Sequence, residues 1–240
     1  MTIQLIQANC LEWLPKHKGE FNLVVTDSPY ILNPTTGGRA KNDVFAGKWT
    51  GNIGGKEVLK ASIEFNNIKF KDWMPLVFES LVSQAHFYTM VNDKNLPDAL
   101  NAAKAAGFRL HNVLVWKKNN CTPNKWYMKN GEFIIFLYKG KARAINNLGS
   151  QQIMEITNIS GKNKLHPTQK PVGLLRLLIE NSSKIGDNVL DPFMGSGSTG
   201  KACAELDRKF TGIEIDKKFI EVAQKSLAMY KPEVRFSREK

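Results

Sequence analysis

The sequence predicts an α/β fold: a mostly parallel, doubly wound sheet carrying one antiparallel hairpin and covered by helices on both faces. Three observations predict it. In the last third of the chain, short apolar strands at 188–191 and 210–215 alternate with helical stretches at 198–206 and 216–229, the rhythm of a parallel sheet with crossover helices. Near the other end, residues 21–26 (FNLVVT) form a continuous apolar, β-branched run that suits a strand buried on both sides. At 240 residues with 42% hydrophobic content, the chain is long enough for one domain with a substantial core.

The elements follow in order. Residues 3–8 read as a short buried strand, followed by a helical turn carrying Leu11, Trp13 and Leu14. The strand at 21–26 stops abruptly at Asp27-Ser28-Pro29-Tyr30, and from 31 to about 60 Gly, Asn, Thr and Lys mark a loop with little core of its own. Trp73, Leu76, Val77 and Leu81 give helical spacing over 72–82. A strand at 85–91 and a helix over 96–106 follow, with Gly107 as the helix stop. Strands at 110–116 and 132–138 are separated by a basic, polar segment that allows a long antiparallel hairpin. Residues 139–164 are polar again and read as a second excursion from the core. The helix at 171–182 presents Leu174, Leu175, Leu177, Leu178 and Ile179 on its apolar face. Without repeats or a low-complexity tail, the expectation is one domain over 1–240, with small inserted segments at about 31–60, 117–131 and 139–165.

Thirty-four basic against 22 acidic residues give a formal net charge of +12. That excess favours a polyanionic partner through counterion release, and nucleic acid is the commonest one. Cys10, Cys121 and Cys203 are far apart and form no CxxC pair, so neither a zinc site nor a disulfide framework is expected, and no metal is assigned. This fits a reducing cytosol. The N-terminus lacks the pattern of a signal peptide, and no apolar run is long enough to span a bilayer. A soluble, cytoplasmic protein with no membrane partner is expected.

The strongest local signal is Asp191-Pro192-Phe193-Met194-Gly195-Ser196-Gly197-Ser198-Thr199-Gly200, where a strand ends and a helix begins. Glycines there permit tight, positive-φ geometry and let backbone amides approach a ligand. Glu214, at the end of the next strand, is placed to accept hydrogen bonds from both hydroxyls of a ribose. Together they describe a site for an adenosine-containing cofactor. The spacing departs from GxGxxG and no GxxxxGK[ST] is present, which disfavours a phosphate-bearing cofactor.

Asp27-Ser28-Pro29-Tyr30 also follows an apolar strand and so falls on the same carboxyl rim of a doubly wound sheet. As a bare motif it is also an ordinary proline turn with an Asp cap. Its chemical use is clearest for the exocyclic amine of a nucleobase, a poor nucleophile because its lone pair is delocalised into the ring. Two acceptors aimed at the two N–H bonds draw the nitrogen toward tetrahedral geometry and stabilise the positive charge that develops on it. Asp27 provides one acceptor, a backbone carbonyl such as that of Ser28 the other, and Tyr30 can stack on a flipped base.

Both turns on one chain, in this order, resemble the N4-cytosine/N6-adenine DNA methyltransferase family in its permuted β-class arrangement, and the resemblance covers nearly the whole chain. The family's DPPY-type motif corresponds to Asp27, Ser28, Pro29 and Tyr30, its FxGxG motif to Phe193, Gly195 and Gly197, and its acidic ribose ligand to Glu214. His166-Pro167-Thr168-Gln169-Lys170-Pro171 is similar to the family's HPTQKP element. The resemblance implies a Rossmann-like S-adenosylmethionine-dependent methyltransferase fold, with S-adenosylmethionine as cofactor and double-stranded DNA as partner; a homodimer is left open. It implies a catalytic group of Asp27, Ser28, Pro29 and Tyr30. The cofactor contacts it implies are Asn9, Cys10, Asp27, His166, Thr168, Gln169, Lys170, Asp191, Pro192, Phe193, Gly195, Ser196, Gly197, Ser198, Thr199, Glu214 and Ile215. Lys170 is expected at the carboxylate of the cofactor's methionine end. Trp116-Lys117-Lys118 and Glu132-Phe133-Ile134-Ile135 resemble strands that shape the base pocket.

Two departures stand out. Ser28 occupies a position where the family usually has proline, and the first strand ends in Ala8-Asn9-Cys10 rather than Gly-Asp, although Asn9 keeps an oxygen that can accept from the cofactor's adenine amine. Asp at the head of the catalytic turn is commoner among adenine enzymes and Ser among cytosine-N4 enzymes. The expected reaction is therefore in-line methyl transfer to adenine N6 in a short target sequence, in restriction-modification or a related role, with cytosine N4 as the alternative. The cytosine-C5 route needs a Pro-Cys turn, and none of the three cysteines follows a proline. DNA contacts are expected from 31–60, 117–130 and 139–164. The rival readings are an RNA or protein-amide methyltransferase, a catalytically inactive DNA-binding relative, and a nicotinamide-dependent oxidoreductase.

Overall fold

A computed structural model describes residues 1–29, 68–122, 126–159, 169–230 and 233–238. Contacts divide the chain into two units, Met1–Ser28 with Phe70–Lys240, and Pro29–Lys69. The expected insert at 31–60 falls within the second unit and outside the described residues. The first unit holds the sheet.

Its elements are β1 (Thr2–Gln7), α1 (Cys10–Trp13), β2 (Phe21–Asp27), α2 (Phe70–Ser80), β3 (Leu81–Val91), α3 (Leu96–Ala105), β4 (Arg109–Thr122) and β5 (Lys129–Tyr138). They continue with β6 (Ile153–Glu155), α4 (Val172–Ser182), β7 (Asn188–Asp191), α5 (Ser198–Glu205), β8 (Lys209–Glu214), α6 (Lys217–Ala228) and β9 (Glu233–Arg238). The strands form one nine-stranded sheet in the order β6-β4-β5-β3-β2-β7-β8-β1-β9. Among them β5 alone runs against its neighbours, antiparallel to both β3 and β4. The mostly parallel sheet with an antiparallel hairpin is as the sequence implies.

The chain leaves β2 toward β3 on one side and leaves β7 toward β8 on the other, while β2 and β7 lie side by side with Leu23 opposite Val189 and Val24 opposite Leu190. Their carboxyl ends therefore flank the point where the winding reverses, which is where open α/β sheets leave a crevice. Alternation along the strands explains why this centre is rigid. Leu23, Val25, Tyr88 and Met90 join the buried cluster that includes Leu174, Leu175, Leu178 and Ile179 of α4 and Ile220, Ala223 and Leu227 of α6. Phe87, one residue out of phase, meets Trp73 of α2 edge-on at 6.0 Å between ring centroids.

Several elements differ from the sequence expectation. β3 begins at Leu81 rather than 85, through an irregularity in its pairing with β2 that coincides with a positive φ at Gln84. β4 runs on to Thr122 and β5 begins at Lys129, so the ladder occupies much of the segment 117–131. β6 pairs with β4, Val115 opposite Ile153, and β9 pairs with β1, Leu5 opposite Phe236; neither was expected. These are short or exposed pieces held by main-chain bonds, which leave no apolar pattern to read. No helix among the described residues is long and apolar enough to cross a membrane.

Candidate active site

Parallel neighbours deliver their last residues to one rim: Asp27 ends β2, Asp191 ends β7, Glu214 ends β8 and Asn9 follows β1. A pocket on this rim is lined by Asp27, Gln169, Lys170, Leu175, Asp191, Phe193, Met194, Gly195, Ser196, Ser198 and Thr199. Asp27 and the glycine-rich turn, far apart in the sequence, thus share one wall.

The turn is built around two acidic hubs. Asp191 Oδ1 accepts from Thr26 Oγ1 at 2.7 Å and from the Phe193 amide at 3.1 Å, and Oδ2 accepts from Thr199 Oγ1 at 2.6 Å. Burial outweighs these bonds and pushes the Asp191 carboxyl up to about 6. Glu214 Oε2 accepts from the Gly195 amide at 3.0 Å and Oε1 from the Asp216 amide at 2.9 Å, while burial raises its carboxyl above the usual range. Gly197 stands at the start of α5 with φ +81°, where an added Cβ would lie 3.1 Å from that of Ala223. At Gly200 a Cβ would lie 2.9 Å from the Phe210 ring, so glycine lets α5 press against β8. Pro192 and Ser196 are buried in the same turn, and the Phe193 ring meets Trp73 edge-on at 5.0 Å.

On the catalytic side, Asp27 Oδ2 receives Lys170 Nζ at 2.7 Å. Its other oxygen, Oδ1, is buried and has no hydrogen-bond partner among the described residues. Burial raises the Asp27 carboxyl and the Lys170 charge opposes the rise. Lys170 Nζ also lies 3.3 Å from Glu132 Oε2, and Lys118 Nζ donates to Glu132 Oε1 at 2.8 Å. For Glu132, burial is outweighed by these two lysines and the carboxyl is held low. Lys118 sits 5.6 Å above the ring of buried Trp116, whose indole N–H donates to the Ile156 carbonyl at 2.8 Å. Ser28 is buried, with Thr89 Oγ1 donating to its hydroxyl at 3.4 Å.

Asn9 Oδ1 accepts from the Leu11 amide at 3.0 Å and caps α1. Cys10 is buried and its thiol is pushed up to about 12, chiefly by burial, so it is an inert neighbour of the rim. Gln169 is buried, Pro29 half-buried and Ile215 exposed. Tyr30, His166 and Thr168 lie outside the described residues. Thr26, which joins β2 to Asp191, was absent from the sequence-derived site; a hydroxyl closing an otherwise apolar strand was its only signal.

The model of the N6/N4 DNA methylase family matches residues 21–225 of this chain. The chain belongs to that family. Among curated relatives of this DNA methylase, Type II methyltransferase M2.DpnII of Streptococcus pneumoniae is 30% identical over 246 residues, covering 93% of this chain and 88% of that protein. Type II methyltransferase M2.MboI of Moraxella bovis is 27% identical over 244 residues, covering 92% and 86%. Among solved structures, M1.HpyAVI in complex with SAM matches with a TM-score of 0.68 at 24% identity, covering 94% of this chain and 100% of that one. The cytosine-N4-specific PvuII DNA methyltransferase matches at 0.70 and 17% identity, covering 96% and 92%. The structural matches show a shared methyltransferase fold.

The residues present fit an adenosine-containing cofactor. Space for one opens beside Gly195, where no atom of the described residues beyond its chain neighbours lies within 4 Å of a would-be Cβ. Ser198 Oγ is buried at the first position of α5 with no partner among the described residues, a hydroxyl whose hydrogen bond waits for a ligand. Glu214, although it accepts from two amides, keeps lone pairs for ribose hydroxyls.

Proposed function

We propose that this DNA methylase transfers a methyl group from S-adenosylmethionine to the N6 amine of adenine, within a short target sequence of double-stranded DNA. The observation that carries the reading is the buried Oδ1 of Asp27, without a hydrogen-bond partner among the described residues, on the rim of the glycine-rich turn. A buried acceptor without a donor is unfavourable unless a ligand supplies the donor, and an amine N–H is the donor this chemistry requires.

Asp27 Oδ1 takes one N–H of the target amine and the main-chain carbonyl of Ser28 takes the other. The nitrogen lone pair is thereby released from the ring, and the carboxylate stabilises the positive charge that grows on the nitrogen. Glu214 orients the cofactor by its ribose, with Ser198 and the amides of the glycine-rich turn beside it. When bound, the cofactor supplies an electrophilic methyl group on a sulfonium centre. Adenine is favoured over cytosine by the aspartate that heads the catalytic turn, and DNA by the family and by the net charge of +12. The reaction belongs in the cytoplasm, where thiols such as those of the three cysteines stay reduced.

The test is to incubate the protein with unmethylated DNA and S-adenosylmethionine, digest to nucleosides and identify the products by mass spectrometry. N6-methyladenine is expected. N4-methylcytosine would keep the mechanism and overturn the base assignment, and absence of both would overturn the reading.

A further inference from the structure

Four charged side chains, drawn from distant parts of the sequence, alternate in sign across the catalytic rim. Asp27 from the end of β2 pairs with Lys170 at 2.7 Å, Lys170 with Glu132 of β5 at 3.3 Å, and Glu132 with Lys118 of β4 at 2.8 Å. The Lys170 side chain is only 9% exposed. An ammonium withdrawn this far from water is stable only where carboxylates hold it, and here Asp27 and Glu132 both hold it. N–H groups of this ammonium are therefore committed to the protein's own carboxylates. The sequence resemblance had placed this lysine at the carboxylate of the cofactor; the geometry gives it a nearer task.

The torsion that turns a carboxylate about its last bond is soft and roughly two-fold, so Asp27 has no intrinsic preference for where its oxygens point. Pinning Oδ2 removes that freedom and leaves Oδ1 as an acceptor without a partner among the described residues. We propose that Lys170 is a positioning residue for Asp27, that Glu132 holds Lys170 in place, and that the pair thereby directs Asp27 Oδ1 at the target amine. This rests on the reading of Asp27 as the acceptor for that amine. Because Glu132 and Lys118 stand on the β4–β5 ribbon, the placement of the ribbon is transmitted to the catalytic carboxylate through two ion pairs.

Among the described residues, the charged groups facing Asp27 are Lys170 from the segment before α4, Glu132 from β5 with Lys118 behind it, and Asp191 from β7. Lys170 draws the Asp27 carboxyl down and Glu132 pushes it up. Removing the two charges therefore moves its titration in opposite directions: upward in Lys170→Met, and downward in Glu132→Gln, whose amide oxygen still accepts from Lys170 and keeps it on Asp27 while the negative charge is lost. A merely structural defect moves neither, or moves both together.

The experiment uses the full chain and two readouts. Carbon-13 NMR follows the Asp27 carboxyl against pH in the protein without DNA, and methyl transfer and cofactor affinity are measured separately in both variants. The expected result is the opposite pair of shifts, with the acidic limb of the rate profile following each. In Lys170→Met the turnover number should fall about a hundredfold while the cofactor Kd stays within about threefold, because a transition-state contact is weakened and not ground-state binding. Lys170→Arg should recover part of the rate. Shifts in the same direction, no shift, or a loss of cofactor affinity large enough to account for the lost rate would overturn the proposal. Should Lys170→Met fail to fold, Glu132→Gln, which keeps the side-chain shape, decides by the direction of its shift. If the wild-type protein methylates neither base, the proposed function fails, while the titration still decides whether Lys170 and Glu132 govern Asp27.

Discussion

The hydroxyl of Thr26 donates to Asp191 Oδ1 at 2.7 Å, with both side chains buried, and this bond fastens the strand that carries Asp27 to the turn expected to hold the cofactor. Thr199 and the Phe193 amide complete the shell around the same carboxylate. These three donors all belong to the protein fold. The residue sets the distance between two halves of the site and takes a role in the architecture of the rim.

Asp191 carries a stability cost that depends on pH. Its carboxyl titrates at 3.8 as a reference and at about 6 in the folded chain. The folded state binds the proton more tightly, so the contribution is fully present below 3.8 and is lost as pH rises through 6, by about 3 kcal/mol. Asn at this position keeps an oxygen for Thr26 and Phe193 and offers its amide to the Thr199 hydroxyl. Urea unfolding of Asp191→Asn and wild type should therefore show the variant gaining on the wild type by up to about 3 kcal/mol between pH 4 and pH 7. His86, which burial pulls down to about 4, acts in the opposite sense, losing its contribution as pH falls from 6.5; it is common to both proteins and cancels. A constant difference between the two would show that Asp191 does not titrate in this window.

Asp27→Asn should be as inactive as Asp27→Ala, although it keeps the shape of the side chain. Lys170 at 2.7 Å draws the amide oxygen toward itself, which turns the NH₂ toward the substrate amine and sets donor against donor. A loss of at least about a hundredfold in methyl transfer is expected for both variants. Cofactor affinity, measured by calorimetry, should stay near that of the wild type. Substantial activity in Asp27→Asn would mean that the carboxylate is not the acceptor.

Gly200→Ala should lower stability without touching a ligand. The new Cβ would stand 2.9 Å from the Phe210 ring and 3.3 Å from Leu227, with a helix on one side and a strand on the other. Overpacking of this kind costs about 1–3 kcal/mol, or roughly 2–10 °C in melting temperature for a chain of this size. Calorimetric melting of the variant reads it directly; an unchanged melting temperature would mean that α5 is free to shift away from β8.

What could be read from the residues was local. The Asp27 and Gly195–Gly200 turns and Glu214 stood out because each closes an apolar strand with residues that serve a turn or a ligand and not a core. The pairing of Lys170 with Asp27, 143 residues away, left no trace in any window of sequence, because an ion pair needs only two ends brought together by the fold. The same holds for β9: its side chains at Arg235, Phe236, Ser237 and Arg238 are exposed, and its pairing with β1 along the main chain makes it a strand. The polar segment 117–131 reads as a small insert between the hairpin strands for a related reason, since a solvated ribbon has no alternation to display.

That ribbon yields the last prediction. Between β4 and β5 the chain exposes Trp126 at 78%, Tyr127 at 95% and Met128 at 61%, an apolar cluster that water alone does not favour. Lys117 and Lys129 lie on the flanking strands, half-exposed and paired with Glu155 and Asp93. Aromatic side chains on a basic ribbon suit stacking on bases that a methyltransferase must unstack, at about 1–3 kcal/mol per base. Tyr127→Ala should therefore weaken duplex binding about tenfold or more, with the cofactor Kd and melting temperature unchanged. Its salt dependence should keep the wild-type slope, because no phosphate contact is lost, whereas Lys129→Ala should reduce the slope by about one. Filter binding across a salt series separates the two. Equal affinity of Tyr127→Ala and wild type for duplex DNA would remove the ribbon tip from the interface and leave its aromatic cluster to another partner.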